Sequence, residues 1–361
     1  MDRRSFLKTS ALGGTAAAAA TLAAPAYAQG NVKLTMVASW PRGFAGVWDA
    51  AERVAASVNA MSGGSLQIEL KAAGELVGAL EVFDAVSSGQ ADIYHSADYY
   101  FVGQHPGLAF FTAVPFGMTA PEYMAWYYSQ GGIELHHELG EIFGLKSFTG
   151  GQTGAQGGGW FRKEMKSVED FQGLKFRMPG FGGQALGKLG ASVQNIPGGE
   201  IYQALASGAL DGTEWIGPWA DEKMGLQEVT KFFYMAGFHE PGAALSVSVN
   251  LDTFNGLSAA HQKIIEIASL EAHQFTYALY IANNGAALDR LIAGGVKAGQ
   301  FSDEIWDAYG KASKEVMDSF MDDELYAKIR ASYETGMAAA SGWLSKSDGF
   351  YTAQRDRVLA G

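Results

Sequence analysis

Apolar and polar residues alternate in short runs along the first part of the chain, and this alternation predicts strands. Residues 32–38 and 66–70 alternate in this way, and the stretch between them carries apolar residues three and four positions apart, which predicts a helix. A helix near residues 80–87 and a strand after Asp92 complete a βαβαβ pattern. This order is typical of α/β proteins with a parallel sheet.

One unit of this pattern occurs twice. Segments 81–92 and 200–211 carry Glu, Ala, Ser, Gly and Asp at the same positions, and their apolar positions match in kind. The copies lie too far apart in the chain for a solenoid repeat. They predict two lobes that each use one helix–glycine–strand unit, and ligands favour the cleft between two such lobes.

The second copy leads into a short strand that carries Glu214 and Trp215 to its carboxyl end, before Gly217 and Pro218 end it. Ligands of open α/β sheets bind beyond the carboxyl ends of the strands. An acid beside an indole can bind a cation, accept a hydrogen bond from a ligand and exclude water. An acid without function at a strand end is the alternative.

Four further residues occupy comparable positions. Tyr100 follows the third predicted strand and can present its hydroxyl to a ligand, although core packing of this aromatic run is the alternative. Arg177 ends another alternating strand, and its guanidinium suits a carboxylate unless it is simply a solvated charge. Gln156 lies in a glycine-rich stretch, where its amide oxygen can bind a hard cation. Glu240 lies where the chain would return to the first lobe.

Two motifs near these residues have competing interpretations. Residues 180–185 match G-x-G-x-x-A between a predicted strand and a helix, so a dinucleotide-binding loop is one interpretation. His239 precedes Glu240, but no second histidine stands at ligand spacing, so a structural role is favoured over metal binding.

The pattern divides the chain into lobe I (29–150), lobe II (151–240), a return to lobe I (241–257), a helix over 258–292 and C-terminal helices (293–361). The helix over 258–292 contains no proline and would be about 50 Å long, enough to brace both lobes. A final amphipathic helix near 347–359 has little left to pack on and is a candidate dimer contact. The apolar face predicted for the long helix comprises Ile264, Ile267, Phe275, Ala278, Leu279 and Ala282.

Composition and the first residues narrow the function. Arg3 and Arg4, an apolar stretch and an A-x-A site at 26–28 predict a twin-arginine signal peptide over 1–28 and a periplasmic location. No other stretch is long and apolar enough for a membrane span. The net charge of −12 gives no basic surface for nucleic acid. Without cysteine, disulfides, iron–sulfur clusters and thiolate zinc sites are excluded.

Taken together, these residues resemble a solute-binding protein of a tripartite ATP-independent periplasmic (TRAP) transporter, of the dicarboxylate-binding type, over the whole mature chain. The most specific stretch is 167–177, which resembles the family's hallmark sequence. The resemblance implies that Arg177 binds the substrate carboxylate. It also implies a two-lobed α/β fold, no enzymatic activity and delivery of the ligand to a membrane permease.

Gln156, Glu214, Trp215, His239 and Glu240 together are similar to the branch of this family that binds 2-oxo or 2-hydroxy monocarboxylates, such as pyruvate, through a metal ion. The resemblance implies Na⁺ or Ca²⁺, which suits a set of oxygen ligands. The implied metal ligands are Gln156, Glu214, Trp215 and Glu240. The implied substrate-binding residues are Arg177, Gln156, Tyr100, Trp215 and Glu240.

Three alternatives remain at this point. The ligand of such a binding protein can instead be a dicarboxylate or a sugar acid, either of which needs another partner for its extra polar groups. An exported oxidoreductase would use the glycine-rich loop at 180–185. A purely structural dimer would leave the polar residues of the predicted cleft unexplained.

Overall fold

The computed structural model describes residues 31–360, so the predicted signal peptide over 1–28 lies outside the described residues. Two mixed β-sheets, with helices around them, form the two lobes of the expected α/β fold. The first sheet contains five strands in the order β2-β1-β3-β10-β4. These strands are β1 (Val32–Ala38), β2 (Leu66–Lys71), β3 (Ile93–Ser96), β4 (Leu145–Gln152) and β10 (Ala244–Asn250).

The predicted βαβαβ pattern is confirmed in the first sheet. β1 pairs in parallel with β2 on one side and β3 on the other, and Val37 lies opposite Lys71 and Tyr94. β10 runs antiparallel to both β3 and β4, and it belongs to this sheet although it comes late in the chain. The carboxyl ends of β1 and β3 therefore meet at one edge, where Trp40 and Tyr100 follow them.

The second sheet has six short strands in the order β11-β9-β5-β8-β6-β7. Arg177, the last residue of β6, lies opposite Thr213 of the parallel strand β8, so Glu214 follows immediately beside it. β11 corrects the expectation of helices alone after residue 293, because it pairs in parallel with β9. The strands are β5 (Gly159–Phe161), β6 (Lys175–Arg177), β7 (Ser192–Gln194), β8 (Gly212–Thr213), β9 (Phe232–Tyr234) and β11 (Lys297–Gly299).

Helices pack around both sheets. Residues 120–142 form two helices, because the chain turns at Gln130 and at Gly131, which has a φ of +90° that favours glycine. A 3₁₀ turn over Val168–Phe171 follows Ser167. The α-helices are α1 (Val47–Met61), α2 (Val82–Ser87), α3 (Ala120–Ser129), α4 (Gly132–Ile142), α5 (Gly180–Lys188), α6 (Ile201–Ser207), α7 (Pro218–Met224), α8 (Leu226–Val229), α9 (Leu251–Gly256), α10 (Ala259–Ala293), α11 (Asp303–Asp318), α12 (Glu324–Leu344) and α13 (Asp348–Leu359).

α10 confirms the predicted bracing helix. The Ser258 hydroxyl caps it by accepting a hydrogen bond from the His261 N–H at 3.2 Å. The helix packs against β4 and α1 of the first lobe and against α7 of the second. Among the described residues, no helix is both long enough and apolar enough to cross a membrane.

The apolar face predicted for this helix was wrong by one position. Ile267 is 38% exposed, whereas Ile265, Ala268 and Ala272 are buried. The buried face also contains polar residues with hydrogen-bond partners. For example, the Thr276 hydroxyl donates to the Ala272 carbonyl at 2.6 Å. Hydrophobic periodicity alone therefore chose the wrong face. The buried residues are His261, Ile265, Ala268, Ser269, Ala272, His273, Thr276, Tyr280, Ala287 and Leu291.

The contact between α10 and the first lobe can be tested at Gly46. A Cβ at Gly46 would overlap the buried ring of Tyr280, whereas a Cβ at Gly43 would meet no atom within 4 Å, and both residues have positive φ. We expect Gly43→Ala to lower the free energy of unfolding by about 1 kcal/mol through backbone strain. Gly46→Ala should cost about 2 kcal/mol more, because it also overpacks the helix contact. Urea unfolding measures the free energy of unfolding of both variants. Equal losses in the two variants would contradict the close contact between Gly46 and Tyr280.

Candidate functional site

The candidate site lies where the chain crosses between the two lobes. Two of the crossings between the lobes meet there: one joins β4 to β5, and the other joins β9 back to β10. The crossings run side by side, since the Gln156 N–H donates to the Glu240 carbonyl at 3.1 Å and the Gly237 N–H donates to the Gln156 carbonyl at 2.8 Å. Gln156 and Glu240 are therefore neighbours although they are far apart in the sequence.

Arg177 and Glu214 form a buried ion pair at the carboxyl ends of β6 and β8. The Glu214 N–H donates to the Arg177 carbonyl at 3.3 Å, and the Arg177 Nη1 group donates to Glu214 Oε1. Arg177 is 1% exposed and Glu214 is fully buried, which excludes the alternative of a solvated arginine. Burial alone would lower the pKa of Arg177, but the charge of Glu214, together with Tyr100 and Tyr99, outweighs it and raises the pKa, so the guanidinium stays charged.

The other guanidinium contacts fix Arg177 and reach the opposite lobe. Its Nε donates to the Ile196 carbonyl at 3.2 Å, and its Nη2 lies 3.3 Å from the Tyr100 hydroxyl. The guanidinium carbon lies 5.5 Å from the ring centre of Trp215 and 5.9 Å from that of Tyr100, which are cation–π distances. Tyr100 belongs to the 3₁₀ turn Asp98–Phe101 after β3. The structure thus brings Tyr100, Arg177 and Trp215 together across the cleft.

Three buried oxygen atoms at this site have no hydrogen-bond partner among the described residues: Gln156 Oε1, Glu214 Oε2 and Glu240 Oε2. The orientation of Gln156 is set by its Nε2, which donates to the Thr153 hydroxyl at 3.1 Å. A buried polar atom without a partner costs free energy, and these three are all acceptors. They fit a hard cation such as Na⁺ or Ca²⁺, which binds carboxylate and amide oxygens.

The charge of the site also favours a cation. Burial raises the pKa of Glu240 well above its usual value, and the negative charge of Glu214 adds to this effect, while Arg177 opposes it. One guanidinium thus faces two carboxyl groups in a water-poor environment. A bound cation would offset the second negative charge.

His239 joins this cluster, although a structural role was favoured for it from the sequence. Its Nε2 lies 3.8 Å from Glu214 Oε2 and 4.0 Å from Glu240 Oε1, and neither ring nitrogen has a hydrogen-bond partner among the described residues. The three side chains each place a potential ligand atom within 4.8 Å of the others. The spacing of histidines gives no sign of this cluster, because the neighbours of His239 are carboxyl groups.

A narrow cavity adjoins the cluster, and its lining combines polar side chains, among them Gln156 and Tyr100, with a larger number of apolar ones. Sequence analysis missed Trp40, whose ring centre lies 6.3 Å from that of Trp215, and Phe44, which lies 6.0 Å from it. Trp40 follows β1 as Tyr100 follows β3, so the strand-end argument was sufficient to find it. The cavity is lined by Trp40, Val47, Ala97, Tyr99, Tyr100, Thr153, Gln156, Trp215, Ile216, Ala243 and Leu245.

The glycine pattern at 180–185 serves packing. A Cβ at Gly183 would collide with the Met178 carbonyl, and a Cβ at Gly182 would lie about 3 Å from His239 and Tyr309 atoms. The Tyr309 hydroxyl also donates to the Gly182 carbonyl at 2.7 Å. Protein atoms therefore fill the space that a dinucleotide pyrophosphate would approach.

Comparison with known proteins places this site in a family. The model of the bacterial extracellular solute-binding proteins, family 7, matches residues 45–324. The chain belongs to this family. The expected resemblance to TRAP solute-binding proteins is thereby confirmed.

Three relatives show how far the similarity extends. The chain is 44% identical over 323 residues, or 88% of each chain, to a monocarboxylate 2-oxoacid-binding periplasmic protein of Nostoc sp.. A TRAP solute-binding protein of Pseudoalteromonas atlantica, solved with sodium and pyruvate, is 39% identical with a TM-score of 0.86, covering 90% of this chain and 99% of its own. A third, from Bordetella bronchiseptica, is a mixed-occupancy dimer with calcium and picolinate. It is 33% identical with a TM-score of 0.90, and the match covers 92% of this chain and 99% of its own.

The buried ion pair predicts a non-additive pair of substitutions. Arg177→Met should lower the free energy of unfolding of the ligand-free protein by about 3–5 kcal/mol, because Glu214 then lacks its positive partner. The double variant Arg177→Met with Glu214→Gln should recover part of that loss. Urea unfolding of the wild type, both single variants and the double variant gives the coupling. A double variant that loses the sum of both single effects would contradict the pair.

Proposed function

We propose that this protein captures a small 2-oxo or 2-hydroxy monocarboxylate, such as pyruvate, in the periplasm and delivers it to the membrane permease of a TRAP transporter. The observation that carries the proposal is the set of three unpartnered buried oxygen atoms beside a buried, charged arginine. These groups suit a carboxylate together with a cation. We further propose that the protein binds and releases its ligand unchanged, after export by a twin-arginine signal.

The proposed cation ligands are the side-chain oxygens of Gln156 and Glu214 and the backbone carbonyl of Trp215, with Glu240 as a further ligand or a neighbouring acceptor. The cation would supply positive charge for the ligand's carboxylate and 2-oxygen. Arg177 supplies the second positive partner for the carboxylate, and Tyr100 holds Arg177 from the opposite lobe.

The ligands of the relatives have one chemical feature in common. Pyruvate carries a carbonyl oxygen on the atom next to its carboxylate, and picolinate carries a ring nitrogen at the same distance. Each can therefore bind one cation through two donor atoms. The shared feature supports a 2-oxo or 2-hydroxy acid as the ligand of this chain.

The alternatives of the sequence analysis are less well supported. A dicarboxylate needs a second cationic partner, yet among the described residues no lysine or arginine lines the cavity, and Arg177 reaches it only through its contact with Tyr100. A sugar acid needs several hydrogen-bonding groups, and most of the cavity wall is apolar. An oxidoreductase using residues 180–185 would need space that protein atoms fill.

We propose that the lobes, bounded as the sequence analysis predicts, close on the ligand by hinge motion at the two crossings. In this structure Tyr100 reaches Arg177 of the other lobe at 3.3 Å, and the Thr153 hydroxyl accepts from the Ala243 N–H at 3.2 Å, so it ties the crossings together. These contacts support a closed arrangement in which both lobes contribute to one cavity.

A homodimer through the last helix is a further part of the proposal. No residue of α13 is buried, and the exposed apolar side chains near it are Trp343, Phe350, Tyr351, Val358 and Leu359. An exposed apolar surface of this kind indicates a protein contact. The Bordetella bronchiseptica relative is itself a dimer.

The cation dependence of ligand binding tests the proposed function. Mature protein stripped of ligand by unfolding and refolding should show a higher melting temperature with pyruvate plus Ca²⁺ or Na⁺ than with pyruvate plus chelator. At a hundred times the dissociation constant, the ligand stabilises the fold by about 2.7 kcal/mol. Gln156→Met removes one oxygen and should weaken this effect, whereas the control Gln104→Met alters an exposed glutamine and should not.

A rise in melting temperature with pyruvate that does not depend on the cation would contradict the proposed metal site. It would leave Arg177 as the proposed partner of the carboxylate. No shift with any carboxylate, in a folded sample, would contradict the proposed function.

The dimer has its own test. Deletion of the residues after Ser345 removes α13 and should convert a dimer into a monomer in light scattering, because most of the exposed apolar surface is lost. The control Arg355→Ala alters a charged residue of the same helix and should leave the mass unchanged. An unchanged mass after the deletion would contradict a dimer contact in α13.

A further inference from the structure

The lining of the cavity beside the candidate cation site combines polar and apolar side chains. The polar ones include Gln156 and Tyr100, and the Tyr100 hydroxyl contacts Arg177. The apolar ones include Trp40, Val47 and Leu245, together with small alanines. An acid held by its carboxylate and 2-oxygen beside Gln156 and Arg177 must therefore direct its remaining carbon atoms at the apolar side chains of the cavity wall.

Trp40 is the largest side chain of the first lobe in this wall, and it is 2% exposed. Its indole Nε1 donates to His95 Nδ1 at 2.8 Å. Because Nδ1 accepts, the ring proton of a neutral His95 lies on Nε2, which is 3.2 Å from the Gly150 carbonyl and can donate to it. Burial lowers the pKa of His95 to about 4, which agrees with a neutral ring. A fully buried histidine thus links the indole to the backbone of β4.

Aromatic rings of both lobes contact the same indole. From the second lobe, the ring centre of Trp215 lies 6.3 Å from that of Trp40 at an angle of 77°, and from the first lobe the ring centre of Tyr100 lies 6.1 Å from it at 60°. The edge-to-face contact with Trp215 favours one ring orientation. The indole therefore has no alternative position while the lobes are closed.

We propose that Trp40, positioned by His95, sets the upper limit on the length of the acid's carbon chain. This inference rests on the proposed function and deepens it. A wall that cannot move excludes each added carbon by steric overlap, whereas a wall of mobile side chains would adapt. The proposal therefore predicts that the cavity accepts pyruvate, with its single methyl group, and excludes branched 2-oxoacids.

Titration calorimetry in the presence of Ca²⁺ tests the inference with pyruvate and 4-methyl-2-oxopentanoate as probes. The readout is the ratio of their dissociation constants, which a general loss of stability does not change. Wild-type protein should bind pyruvate at least about a hundredfold more tightly. Trp40→Ala should reduce this ratio by at least about tenfold, because it opens the wall.

Two substitutions at His95 form a matched pair that leaves the Trp40 indole itself unchanged. His95→Leu removes the acceptor for Trp40 Nε1 and should reduce the ratio by about fivefold, the effect of losing one hydrogen bond. His95→Asn keeps an acceptor at a similar position and should retain the wild-type ratio. This pair decides the question even where Trp40→Ala fails to fold.

The outcomes separate the two claims. Wild-type protein that binds neither acid at any Ca²⁺ concentration would overturn the proposed function, and this inference with it. Wild-type protein that binds pyruvate, with an unchanged ratio in both Trp40→Ala and His95→Leu, would overturn only the role of Trp40. Equal affinity of the wild type for both acids would also overturn only the role of Trp40.

Discussion

The buried pairing of Arg177 with Glu214 is the interaction on which the rest of the site depends. A guanidinium at 1% exposure is tolerated only because a carboxylate meets it at the next strand end, and the site carries an excess of negative charge once Glu240 is ionised as well. Each further feature follows from this conflict. Tyr100 and Trp215 hold the guanidinium by a hydrogen bond and by their ring faces, and Gln156 adds a neutral oxygen where a cation would relieve the repulsion.

The fold supplies this arrangement through two crossings and one parallel strand pair. The pairing of β6 with β8 fixes Arg177 beside Glu214, so the ion pair is set by strand register rather than by flexible side chains. The crossings bring Gln156 and Glu240 together by backbone hydrogen bonds. Since the crossings are also where the lobes would move, the ligand groups lie at the positions that closure affects first. The long helix α10 contacts both lobes and limits how far they can separate.

Strand-end reasoning predicted much of this from the sequence. Arg177, Glu214 and Tyr100 were found because each follows or ends a strand, and the position of a strand end is visible in local periodicity. The cluster around His239 and the place of Trp40 were missed for different reasons. Glu240 is adjacent to His239, but Glu214 is remote in sequence, so no spacing rule brings the three residues together. Trp40 stood at a strand end and was overlooked. The face of α10 was misassigned because its buried side contains histidines and threonine, whose burial depends on partners in β4 and within the helix itself.

A crystal structure of the mature protein grown with pyruvate and Ca²⁺ tests the central claim most directly. The account predicts a cation with oxygen ligands at about 2.3–2.6 Å, among them the side chains of Gln156 and Glu214. It also predicts that the pyruvate carboxylate lies between this cation and the guanidinium of Arg177. Pyruvate bound to Arg177 with no cation beside these oxygens, or a cation bound elsewhere in the chain, would contradict it.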